Sequence, residues 1–78
     1  MTEEEAIKWI AKLFNESPDN IQSDTLRDDI PEWDSIGVLT LMAELDEKFD
    51  IVVTNEETAA MTKVGDLIRI LHQKGKIN

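Results

Sequence analysis

An all-α bundle of three main helices and one short one, with a long loop between the first two, is the fold class this sequence predicts. Three observations carry it. Apolar residues recur at helical spacing in three separate stretches. Two T-x-x-E capping boxes, Thr2 to Glu5 and Thr54 to Glu57, stand where helices should begin. The β-branched run Ile51-Val52-Val53 is three residues without a pairing partner, too little for a sheet, and reads as an extended connector.

After the first box, Ile7, Ile10, Ala11 and Phe14 follow at helical spacing, and Ala6 and Leu13 widen the stripe, so helix one is expected to reach about Asn15. The connection from Asn15 to Asp34 holds both prolines, Pro18 and Pro31, and its apolar residues fit neither helical nor strand periodicity. A loop of this length has to be anchored or functional. It is expected to lie over the helices, pinned by Ile21, Leu26, Ile30 and Trp33, with a helical turn near Leu26.

Ser35 to Phe49 gives the strongest pattern, with Val38, Leu41, Met42, Leu45 and Phe49 on one face and Thr40, Glu44, Glu47 and Lys48 around the other. The second capping box starts a short helix through Met61. Thr62 is placed to cap the last helix, in which Val64, Leu67, Ile68 and Leu71 form the stripe and Gly75 the stop. No repeat, low-complexity tract or linker interrupts residues 1–78, so they are expected to form a single domain.

Composition narrows the function. A chain of 78 residues buries only roughly 60% of the surface its unfolded form exposes, which leaves little room for an enclosed active site. With 17 acidic and 8 basic residues the net charge is −9, which disfavours nucleic acid and anionic membranes and favours partners with basic surfaces. There is no cysteine, so any thiol chemistry has to come from an attached group. The acidic start Met1-Thr2-Glu3-Glu4-Glu5 is unlike a signal or transit peptide, and no apolar run approaches the ~18 residues of a membrane span. A cytoplasmic, monomeric protein that does not insert into membranes is expected. Asp46-Glu47-Lys48-Phe49-Asp50 lacks the spacing of an EF-hand loop, so no metal site is expected.

Asp34-Ser35-Ile36 puts a serine hydroxyl at the start of the strongest helix. Taken alone the triplet is either a cap, for which Asp and Ser are preferred, or a modification site. Its continuation, Leu41-Met42-Ala43-Glu44-Leu45-Asp46-Glu47-Lys48-Phe49, together with the long loop before it and the capped short helix after it, resembles the acyl carrier protein family. The resemblance covers nearly the whole chain and needs no gap from Ser35 to Leu71.

That resemblance implies an acyl-carrier-protein-like four-helix bundle. It implies that Ser35 carries 4′-phosphopantetheine through a phosphodiester, with Asp34 and Ile36 completing the attachment motif. The arm's thiol would hold an acyl or aminoacyl cargo as a thioester. It further implies a phosphopantetheinyl transferase as partner, with Asp34 helping that enzyme bind metal and orient the serine. Loading and processing enzymes with basic surfaces, as in fatty acid biosynthesis and lipid metabolism, would meet Ile36, Ala43, Glu44, Asp46 and Glu47. A phosphate on Ser35 suits the positive end of a helix, by ~0.3–1 kcal/mol at an exposed site. The chain has no evident base to activate the serine, since its sole histidine, His72, lies in the last helix. No catalytic residue is therefore assigned.

Two features depart from the family pattern. Many fatty-acid carriers read L-G-A-D-S-L, where this chain has the longer and bulkier Ile30-Pro31-Glu32-Trp33-Asp34-Ser35-Ile36. Trp33 is either a plug over the helix tops or a face for a partner or the carried arm. Gly37 and Thr40 stand at positions that are commonly acidic; Gly37 implies a loose first turn or a close approach to its backbone. Met42 and Met61 are core residues or part of a pocket that shelters cargo. The alternative function, from a different class, is an unmodified acidic helical module that binds a basic partner through helix two.

Overall fold

The first helix starts where its capping box predicts. In the computed structural model, which describes residues 1–77, Thr2 Oγ1 accepts the Glu5 N–H at 3.1 Å and the Glu5 carboxylate accepts the Thr2 N–H at 2.9 Å. Helix α1 spans Glu3–Leu13. It stops short of the expected Asn15 because that residue turns left-handed, at φ 58°. The Glu16 N–H then returns to the Ala11 carbonyl at 2.8 Å and closes a Schellman turn.

Helix α2 spans Ser35–Phe49, as the periodicity predicts, and ends on Asp50 at φ 55°. Helix α3, Asn55–Ala59, follows the second capping box. It ends before the expected Met61, whose side chain is buried in the core. Helix α4, Val64–Gln73, closes on Gly75 at φ 73°, where the Gly75 and Lys76 N–H groups bond back to the His72 and Leu71 carbonyls. Glycine takes that conformation without a Cβ penalty.

Two expectations fail in the connections. Thr62 does not cap α4; the helix enters from Lys63 without a side-chain cap. The chain there is held in a short antiparallel bridge with the long loop, the Arg27 N–H donating to the Thr62 carbonyl at 2.8 Å and the Val64 N–H to the Thr25 carbonyl at 2.9 Å. Thr62 instead gives its N–H and its hydroxyl to Asp66 Oδ2, at 2.9 and 3.2 Å. Leu26 is the second failure: its side chain is half exposed, and the pinning at this point is done by the backbone of its neighbours Thr25 and Arg27 in the bridge. Ile21, Ile30 and Trp33 are buried as expected. Two 3₁₀ turns, Pro18–Asn20 and Arg27–Asp29, shape the loop, the second immediately after Leu26 where a turn was expected.

One core joins these elements. Ala6, Ile10 and Ala11 of α1 and Phe14 at its C-cap meet Leu41 and Leu45 of α2 and Val64, Leu67, Ile68 and Leu71 of α4. In the connector after α2, Ile51 and Val53 are buried while Val52 faces water, so the segment is extended without pairing into a sheet. Trp9 seals one side, its ring edge-on to Phe49 at 5.0 Å and its Nε1–H donating to Glu44 at 2.9 Å. Among the described residues no helix is long and apolar enough to cross a membrane.

The hydrogen bond from the Thr62 amide holds the Asp66 carboxyl below its ordinary value of 3.8, helped by the Thr62 hydroxyl and Arg69. A depressed folded-state pKa contributes stability that is present above the unfolded value and lost as pH falls through the folded one. Asp66→Ala should therefore cost about 1 kcal/mol at pH 7, the net contribution of a hydrogen bond. Urea unfolding of both proteins should show that gap closing as pH falls below about 3.8; a gap unchanged at low pH would contradict this role for Asp66.

Candidate functional site

Trp33 and Ser35 are two residues apart, yet Trp33 is 4% exposed while Ser35 lies on the surface. The Trp33 ring stacks on Phe14, the C-cap of α1, centroids 5.0 Å apart and planes at 13°. The Arg27 guanidinium lies 5.6 Å from the ring centroid. A stacked aromatic pair contributes about 0.5–1.5 kcal/mol beyond its buried area, so Trp33 is the plug that fixes the end of the loop. Its indole N–H is nonetheless the one buried side-chain polar group among the described residues without a hydrogen-bond partner.

Immediately after the plug the chain turns into α2. Asp34 is the cap: its Oδ1 accepts the Gly37 N–H at 2.8 Å and its carbonyl accepts the Val38 N–H at 2.8 Å. Ser35 is thus the first residue of α2 and exposed, beside the amides of Ser35 and Ile36, which have no intrahelical acceptor. An anion on the Ser35 hydroxyl would meet those amides and the positive end of the helix dipole.

Gly37 owes its place to the loop. A Cβ at this position would collide with the backbone carbonyl of Glu32. Of the two expectations for this glycine, close approach holds, and the neighbour is the protein's own backbone; the first turn is regular and capped.

On either side of Gly37 the exposed side of α2 carries apolar residues. Ile36 is 74% exposed and Leu39 65%, and Ala43 is exposed one turn on, away from the buried Leu41 and Leu45. Leu39 was not expected at the site. Its signal in the sequence is that Ser35 to Ala43 holds no charged residue, so the first turns of α2 are uncharged on every side. Thr40 donates its hydroxyl to the Ile36 carbonyl at 3.2 Å.

Of the acidic residues expected to meet partners, Asp46 and Glu47 are exposed. Glu44 is already engaged. Its Oε1 accepts the Trp9 indole N–H at 2.9 Å and pairs with Lys48 at 3.3 Å. The Trp9 hydrogen bond first, then Lys48, holds the Glu44 carboxyl below the ordinary range against the opposing effect of burial. Asp28, Asp29, Glu32, Asp50 and Glu56 add exposed negative charge on the loop and the later turns. His72 is exposed on α4, and no cluster of three metal-ligating side chains occurs among the described residues.

A groove of about 470 Å³ opens beside Ser35, between the loop and the α3–α4 junction. Arg27, Trp33 and Ser35 line one part of it and Ala59, Met61 and Thr62 another. Arg27 Nη1 donates to the Thr58 carbonyl at 3.2 Å, tying the loop to α3.

An exposed serine at a capped helix start, in a small acidic four-helix protein, can be compared with known chains. The sequence is 32% identical over 62 residues to an acyl carrier protein of Sulfurovum sp. (strain NBC37-1), covering 80% of this chain and 83% of the relative. It is 25% identical over 71 residues to an acyl carrier protein of Beutenbergia cavernae, covering 86% and 87%. With an acyl carrier protein of Kineococcus radiotolerans it shares 25% over 76 residues, covering 92% and 94%. No family model matches the chain. The chain belongs to the acyl carrier protein family, and its role is that of a carrier protein.

The Gly37 contact makes a test of the site's architecture. Alanine is the better helix former by about 1 kcal/mol, but its Cβ meets backbone that cannot rotate away. Gly37→Ala should lower stability by about 1–3 kcal/mol, the usual cost of overpacking. Urea midpoints measure it, and an unchanged or raised midpoint would show that the Glu32 carbonyl yields easily.

Proposed function

We propose that Ser35 is the attachment point for 4′-phosphopantetheine and that the protein tethers an acyl or aminoacyl intermediate for separate enzymes. The observation that carries this reading is an exposed serine at the first position of α2, with one oxygen of the exposed Asp34 carboxylate turned onto the helix start as the cap. The hydroxyl is thereby open to an incoming enzyme, and the helix start can accept the negative charge the arm brings. The residues fit the group. The chain has no thiol of its own, so the thiol that holds cargo as a thioester is the arm's.

Attachment joins Ser35 Oγ to the coenzyme A phosphorus that bears pantetheine. The pyrophosphate bond breaks, adenosine 3′,5′-bisphosphate leaves, and the serine proton passes to a base of the phosphopantetheinyl transferase. No base for that step is required of this chain, and a serine hydroxyl unaided is a poor nucleophile. Asp34 uses Oδ1 in the cap, which leaves Oδ2 to serve the transferase's metal.

Partner enzymes are expected to meet α2 through Ile36, Leu39 and Ala43, flanked by Asp46 and Glu47 on one side and the loop carboxylates Asp28, Asp29, Glu32 and Asp34 on the other. Exposed charges of one sign speed the encounter with basic surfaces and are screened beyond about 8–10 Å at cellular ionic strength. Weak, fast-exchanging contacts suit a shuttle.

Incubation with coenzyme A and a broad-specificity phosphopantetheinyl transferase should raise the intact mass of the wild-type protein by one arm and leave Ser35→Ala unchanged. No gain in the wild type, or an equal gain in the variant, would remove Ser35 as the attachment point and leave the unmodified interaction module as the better account.

A further inference from the structure

Helix α3 has little of its own to hold it in place. It is five residues long, and isolated helices shorter than ~12–15 residues are marginal in water. Packing of an apolar stripe normally makes up the difference, but α3 has none. Asn55, Glu56, Glu57 and Ala59 are exposed, and its only buried side chain is Thr58, whose hydroxyl donates to the Asn55 carbonyl of the same helix at 2.9 Å. The Thr54–Glu57 capping box is equally local. Buried Val53 and Met61 anchor the chain on either side, so residues 54–60 form a span between two fixed points. Among the described residues, one hydrogen bond joins that span to a distant segment, from Arg27 Nη1 to the Thr58 carbonyl at 3.2 Å.

Arg27 is itself firmly seated. Its N–H donates to the Thr62 carbonyl at 2.8 Å, the Val64 N–H to the Thr25 carbonyl at 2.9 Å and the Gly65 N–H to the Ser23 carbonyl at 2.6 Å, so the α4 entrance grips the loop at three points. Its guanidinium lies 5.6 Å from the centroid of the Trp33 ring, which is stacked on Phe14. We infer that Arg27 is a latch that holds α3 against the loop, resting on the fixed Trp33 ring and closing the last turn of α3 through Thr58. A cation suits that end of a helix, and a hydrogen bond from a charged donor is stronger than a neutral one. When the latch opens, residues 54–60 move between Val53 and Met61 while the core of α1, α2 and α4 stays packed. Ala59 of α3 lines the groove beside Ser35, so the latch sets how far that groove opens, whether or not Ser35 is modified.

Hydrogen exchange on the full chain reads the latch directly. The amides of Thr58 and Ala60, bonded to the Thr54 and Glu56 carbonyls, report α3, and those of Leu67, Ile68 and Leu71 report the buried face of α4. In the wild type the α3 amides should exchange before those of α4 and with a weaker dependence on urea, as local opening requires. Arg27→Met deletes the donor and keeps an unbranched stem over Trp33. It should speed exchange of the α3 amides about tenfold beyond any change at α4, the factor that corresponds to ~1.4 kcal/mol. Arg27→Lys, which keeps the charge but not the planar fork, is the second variant if Arg27→Met does not fold, and a smaller acceleration confined to α3 is expected of it. Equal acceleration of α3 and α4 would mean that Arg27 supports the whole fold rather than α3. Unchanged α3 rates would mean that α3 does not depend on it. Either result overturns the latch, as would α3 amides that exchange in the wild type as fast as those of an unfolded peptide.

Discussion

The stack of Trp33 on Phe14 is the contact on which the start of α2 depends. Loop and helix meet over two residues, and the loop is otherwise held by isolated side chains, three backbone hydrogen bonds to the α4 entrance and the Arg27 guanidinium on the Thr58 carbonyl. With the ring fixed, the Glu32 carbonyl comes to rest against Gly37, Asp34 is in position to cap, and Ser35 is the first side chain with nowhere to go but outward. One buried ring thus sets the position of one exposed hydroxyl.

Local signals carried most of the fold. Both capping boxes form as read, α2 occupies the predicted residues, and Gly75 ends α4, because each depends on neighbours within a turn. The failures lie where distant chain segments compete. Thr62 looked like a cap, but the bridge to the loop moved the helix entrance to Lys63 and gave Thr62 to Asp66. Leu26 looked like an anchor, yet the backbone of its neighbours Thr25 and Arg27, rather than its side chain, makes the long-range hydrogen bonds.

The candidate site was legible unevenly for the same reason. Asp34, Ser35 and Ile36 stand out as a run of adjacent residues. Glu44 sits in the acidic sequence like its neighbours, and only the approach of Trp9 from α1 makes it an internal acceptor. Gly37 is a weak helix residue in sequence and a required one in space. The orphaned indole of Trp33 has no sequence signature, since its burial depends on both Phe14 and the loop's path.

The Glu44–Lys48 pair has an effect on how copies of this protein treat one another. Lys48 is the one cation in the acidic stretch from Asp28 to Glu57, and its charge is spent on the neighbouring helix turn. What remains on that side of the molecule is almost wholly negative, within a net charge of −9. Two exposed aliphatic side chains one turn apart, Ile36 and Leu39, would invite self-association on a neutral protein. Here a second copy approaches with the same field and is repelled, whereas a cationic surface is drawn in. The charge thus opposes contact between two copies of this surface and favours the approach of one of opposite sign.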